Sequence, residues 1–161
     1  MKKMIIRMVL IVAICATFFT RNAFAEVSDE TASTLLISTE LLMISQANLA
    51  ILSLSLTEGN MEHNYTTVEE DRENLGTIIS SLDLAGETIK ALLKSNEIQD
   101  NDIELIRLMD RTNESLKKAT NELIAYCDDQ KDIHFSNFAD DMDDVVKYLD
   151  KAGKILDQAA E

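Results

Sequence analysis

Apolar side chains recur along most of this chain at alternating spacings of three and four. One such stripe runs through Val68, Leu75, Ile79, Leu82, Gly86, Ile89 and Leu93. A second is Leu105, Met109, Thr112, Leu116, Ala119 and Leu123, and a third runs from Phe135 and Phe138 through Met142, Val145, Leu149, Ala152 and Leu156 to Ala159. This is the period of a helix that presents one seam to its neighbours. Nothing interrupts it: the chain has no proline and four glycines. Capping residues delimit four helices. The first is expected to start after Ser28 and stop near Gly59-Asn60. The second should start at Thr66 or Thr67, each with a Glu three residues on, and run to about Ser95. The third follows Asp100-Asn101, with Glu104 completing a box, and reaches about Asp128. The fourth runs from near Ser136 to about Ala159. Four helices joined by short connections predict an all-α, up-down-up-down four-helix bundle.

The first helix differs from the others. Its stretch TLLISTELLMISQANLAILSLSL, residues 34–56, holds a single charged side chain, Glu40. Leu35, Leu42, Leu49 and Leu56 share one heptad position; Ile37, Ile44 and Ile51 share another; Leu36, Met43 and Ala50 lie between them. That arc exceeds half the circumference, more than one bundle core requires. A transmembrane span is disfavoured by Glu40 and by the many Ser, Thr, Gln and Asn residues within the run. The reading is a core helix with a second apolar face. Ile37, Leu41, Ile44 and Ile51 are expected to pack on a second copy of the chain or on a helical protein partner. The alternative is that this helix is the most central one of a monomer.

The amino terminus sets the compartment. MKKMIIRMVLIVAICATFFTRNAFA has a basic start at Lys2, Lys3 and Arg7, an apolar stretch Val9 to Phe19, and the small-x-small sequence Ala23-Phe24-Ala25. Residues 1–25 therefore read as a bacterial secretory signal peptide and residues 26–161 as the bundle domain, in the periplasm or outside the cell. Removing residues 1–25 takes away four basic residues and no acid. The remaining 136 residues carry 11 Lys+Arg against 29 Asp+Glu, a formal charge of −18. Such a surface repels nucleic acid and anionic membranes, and tolerates cations or basic partners. Cys127 is then the only cysteine, so no internal disulfide is available, and it is expected to be a buried small hydrophobe.

Met43-Ile44-Ser45-Gln46, in the first helix of a secreted helical segment, resembles the centre of a signature found in the helical sensor domain of type IV pili methyl-accepting chemotaxis transducers. That family is similar to the nitrate/nitrite sensor bundles. Its signature reads approximately A-G-R-Q-R-M-L-S-Q-R, aligned here with residues 38–47. The three arginines, which in the family imply anion recognition between paired first helices, are replaced by Glu40, Leu42 and Ala47. The resemblance implies a periplasmic four-helix binding module that acts on a ligand or protein.

Catalytic signatures are missing from the sequence. There is no G-x-S-x-G, H-E-x-x-H, phosphate-binding loop, haem-attachment motif or EF-hand, and no di-iron E-x-x-H, so the expectation is a non-enzymatic protein without a cofactor. One chemical alternative stands. The loops after the first and third helices share an end of the bundle. They bring Met61, His63, Asp132 and His134 toward Cys127, a donor set suited to Zn²⁺ or Cu²⁺. Asp140, Asp141, Asp143 and Asp144 read as acids favoured by the dipole at the start of the fourth helix.

Overall fold

The computed structural model describes residues 29–94, 98 and 100–159. Residues 1–25, the expected signal peptide, lie outside them. Four helices follow one another: α1 (Asp29–Glu62), α2 (Val68–Leu93), α3 (Asp100–Asp129) and α4 (Ile133–Ala159). There is no strand among the described residues, and the helices pack as an all-α four-helix bundle. None of these helices is long and apolar enough to cross a membrane.

The boundaries follow local chemistry. Thr67 caps α2: its hydroxyl accepts from the Glu70 N–H at 3.3 Å, and the Glu70 carboxylate accepts from the Thr67 N–H at 3.2 Å. This is the expected capping box, and Thr66 instead donates its hydroxyl to Asp71 at 2.6 Å. Helix α1 runs through Gly59-Asn60 rather than ending there. It stops where Asn64 takes a left-handed φ of 53°. The Asn64 N–H bonds the Met61 carbonyl at 3.1 Å and the Tyr65 N–H bonds the Asn60 carbonyl at 2.9 Å, the paired closure of a Schellman turn. Asn tolerates that conformation because its short polar side chain reduces the steric penalty. Helix α3 also ends on a left-handed residue, Gln130 with φ 57°, but with the single bond of the simpler αL closure, its N–H on the Tyr126 carbonyl at 2.9 Å.

Two clusters form the core. One, at the end holding the turns after α1 and α3, joins Leu54 and Met61 to Leu75, Leu123, Cys127 and Phe138. The other, at the opposite end, joins Met43 to Ile89, Leu105, Met109 and Ala152. Helix α3 is the centre of both. Its backbone approaches α1, α2 and α4, whereas α4 lies chiefly along α3. The expected α3 stripe is buried throughout, and Ile106, Leu108, Asn113, Ser115 and Thr120 are buried besides. Among the described residues, the most buried helix is therefore α3 and not α1.

Helix α1 turns two seams in different directions. Met43, Ala47, Leu54, Thr57 and Met61 face inward. Leu42, Leu52 and Leu56 face outward, 37%, 57% and 60% exposed. Ile44 and Ile51, expected on a second apolar face, are half-buried and pack against the two core clusters. The side chains of Ile37 and Leu41 lie outside the described residues.

This arrangement orders the cost of truncations. Leu116, in α3, is 1% exposed. Leu116→Ala should lower unfolding stability by about 2–5 kcal/mol. Leu84→Ala, on the outer side of α2, should cost less than about 1 kcal/mol. Urea unfolding followed by circular dichroism measures both, and equal losses would contradict the burial order.

Candidate functional site

The residues of the metal alternative do not share one site. Met61 and Cys127 are buried in the first core cluster. Burial pushes the Cys127 thiol above its ordinary value, Asp71 pushing the same way and Arg72 opposing, so the thiol stays protonated at neutral pH. His63 is exposed and its ring lies 5.4 Å from that of Tyr65. Asp132 is exposed in the turn between α3 and α4. Among the described residues, no three His, Cys, Asp or Glu side chains converge to hold an ion.

His134, the second residue of α4, has a different role. Its Nδ1 lies 2.7 Å from Glu122 Oε2 and its Nε2 lies 3.1 Å from Asp129 Oδ1, so a carboxylate meets each ring nitrogen. Only the imidazolium can donate through both nitrogens at once. Asn137 donates to the same Glu122 oxygen at 3.1 Å. These contacts clamp the start of α4 to the last two turns of α3, beside the Tyr126 and Phe135 rings, whose centres are 4.4 Å apart. The hydrogen bond to Glu122 holds the His134 pKa above 6.5, and the hydrogen bond from His134 holds that of Glu122 below 4.5.

The acidic run Asp140–Asp144 lies further into α4 than its sequence suggests. Because the helix begins at Ile133, its first turn contains no acid, and the dipole of its N-terminus does not account for the run.

A cleft of about 80 Å³ lies between α1, α2 and α3. Met43 and Gln46, from the motif-like stretch, line it; Ser45 of the same stretch is exposed and Ile44 is half-buried. Small residues keep the helices close here: Ala47 and Ala50 on α1, Ser81 and Ala85 on α2. None of the lining side chains is charged. On α3, Asn113 closes the cleft. It is 5% exposed, and its Nδ2 has no hydrogen-bond partner. Opposite it stands Gly86: a β-carbon there would lie 2.9 Å from that Nδ2, so the glycine makes room for the amide. One turn before Asn113, Asp110 Oδ1 is likewise buried and unpartnered. Sequence reasoning missed Asn113 because one polar residue beside an apolar seam gives no periodic signal.

No family model, curated protein or solved structure matches this chain.

Two tests follow from this geometry. The His134 contribution is complete below pH 6.5 and fades as pH rises through its raised value. The Glu122 contribution is complete above pH 4.5 and fades as pH falls through its lowered value. The difference in Tm between the native protein and His134→Gln should therefore peak between these limits and shrink toward alkaline pH; a difference independent of pH would contradict the clamp. For the glycines, Gly76→Ala meets nothing within 4 Å and should stabilise by about 0.5–1 kcal/mol. Gly86→Ala should gain less, because Asn113 must move, and should recover that gain in an Asn113→Ala background. A double-mutant cycle by urea unfolding reads the coupling.

Proposed function

We propose that this protein is a secreted or periplasmic helical-bundle module that acts by binding rather than catalysis, and that it self-associates through the outer face of α1. The observation that carries this reading is the row Leu42, Leu52 and Leu56, exposed on a helix with no charged side chain from Leu41 to Thr57. Exposed large apolar side chains gathered on one side of a helix are a feature of interaction surfaces. Each large aliphatic side chain left in water forgoes about 1.5–3 kcal/mol relative to full burial.

Charge selects the partner. The chain carries a net −14, and most of its surface would repel a second copy. The uncharged face of α1 is where two copies can meet without opposing carboxylates. An isologous pairing lets one such patch cover itself. The earlier expectation placed the interface on the isoleucine row; the proposal moves it to the leucines, because Ile44 and Ile51 already have partners within their own chain. The amino-terminal pattern of residues 1–25 supports the compartment, and the resemblance at Met43–Gln46 is consistent with a sensor-like or adaptor role. The metal-binding alternative requires His134 to give up one of its two carboxylates and Met61 and Cys127 to leave the core, and the binding module needs neither change.

Sedimentation of the purified protein at micromolar concentration tests the reading. A dimer is expected. The double substitution Leu52→Asp and Leu56→Asp should yield monomers with helical circular dichroism unchanged, since both side chains already face outward. A native protein that sediments as a monomer, or a double variant that remains dimeric, defeats the proposed interface.

A further inference from the structure

Three exposed leucines on one helix make a small interface. A stable protein–protein contact takes about 20–30 residues from each side, whereas Leu42, Leu52 and Leu56 lie along α1 alone. The surface beside them decides where the contact extends. Leu49 shares a heptad position with Leu42 and Leu56 and also lines the cleft between α1, α2 and α3, so the leucine row forms one rim of that cleft. The other rim belongs to α2. Thr77, Ser81 and Ala85 line it at one-turn spacing, and Leu84 and Thr88 fall on the same side of the helix.

This α2 strip is uncharged and suited to being covered. Asp83 is turned away from it toward Lys117 of α3, at 2.6 Å, and the exposed Glu87 lies beyond Leu84 on the solvent side. Its threonines are already satisfied: Thr77 donates its hydroxyl to the Glu73 carbonyl at 3.0 Å, and Thr88 to the Leu84 carbonyl at 3.1 Å. Each can be desolvated without losing that hydrogen bond. Leu84 itself is 38% exposed. Between the two rims there is free volume of about 80 Å³. That is several times the roughly 10–15 Å³ that one water needs, and leaves room for the end of an aliphatic side chain. Gln46, Ser53 and Ser81 add a polar, uncharged edge of the kind that interface hydrogen bonds and waters occupy.

Charge and shape select the occupant. A basic partner finds no carboxylate among the residues of either rim, and an acidic one is repelled by the rest of the chain. A second copy brings an uncharged row of leucines on the same helix that carries one of the rims. Knob and groove then lie side by side on one surface, the arrangement that a two-fold pairing requires.

We propose that the second copy docks across α1 and α2 together, the exposed leucines of its α1 entering the groove between these helices and covering the Thr77–Thr88 strip of α2. The inference rests on the self-association proposed above and names the surface that completes it.

Sedimentation of charge variants tests it. Leu84→Glu places a carboxylate on the α2 strip, and Val146→Glu adds the same charge to α4 at a residue 53% exposed. Leu84→Glu should raise the dimer dissociation constant at least about tenfold, because the carboxylate is desolvated and meets its own two-fold copy. Val146→Glu should leave that constant unchanged, and both variants should keep native helical circular dichroism. In dimers mixed from ¹³C-methyl-labelled and unlabelled chains, isotope-filtered NMR should connect leucine methyls of one copy to the Thr77 and Ala85 methyls of the other. That measurement decides the matter whether or not Leu84→Glu folds. If the native protein is a monomer, or if Leu52→Asp, Leu56→Asp stays dimeric, the self-association and this inference fail together. If that double variant is monomeric but Leu84→Glu weakens the dimer no more than Val146→Glu does, the self-association stands and the contact with α2 is overturned. Intermolecular methyl contacts confined to α1 overturn it as well.

Discussion

Two threonine hydroxyls allow one helix to sit at the centre of this bundle. Thr112 and Thr120 are 1% and 0% exposed, and each returns its hydroxyl to the carbonyl four residues earlier, Leu108 at 2.9 Å and Leu116 at 2.7 Å. A side chain that satisfies itself within its own helix can be buried without a partner elsewhere. Helix α3 can therefore be covered on three sides although much of its buried surface is polar by residue type. Leu105, Ile106, Leu116 and Leu123 supply the large apolar volume, and the threonines fill the flanks of the same arc.

With α3 at the centre, the most apolar segment of the chain becomes peripheral. Helix α1 packs against α2 and α3 through its small residues and Leu54, and its Leu42, Leu52 and Leu56 remain in water. Hydrophobicity and burial are thus ranked in opposite order in α1 and α3. The ranking makes physical sense if the outer surface of α1 is completed by another molecule. The strong negative charge on the rest of the chain narrows that molecule to one that can approach an uncharged face.

The helices were legible in the sequence because seam spacing and caps are local. The α3 and α4 stripes, and the Thr67/Glu70 box, depend on residues within one or two turns of each other. What was not legible is non-local. Neither Thr112 nor Ser115 announces that three neighbours surround α3. Whether the isoleucine or the leucine row of α1 faces outward depends on the rotation of the helix about its axis, and a helix apolar over most of its circumference does not specify that rotation. The stop at Asn64 lay beyond a glycine that looked sufficient, yet Gly59 is simply helical. His134 was read as a loop ligand because α4 was expected to begin at Ser136. Starting at Ile133 instead, the helix carries the imidazole to Glu122 on α3. The Asn113–Gly86 contact joins residues far apart in sequence, and neither is unusual alone.

These features divide the bundle into two sides of different character. On one side, α3 and α4 are held by long apolar side chains, the Tyr126–Phe135 ring contact and the His134 clamp. On the other, α1 meets α2 and α3 through Met43, Leu54 and Met61 with alanine and serine between them, and about 80 Å³ of free volume remains there. Exposed ion pairs such as Lys117–Asp83, at 2.6 Å, and Arg72–Asp128 tie α3 to α2, and contacts of this kind contribute little each. A second copy covering the outer leucines of α1 would leave the α3–α4 contacts untouched, because Leu42, Leu52 and Leu56 take no part in the core clusters.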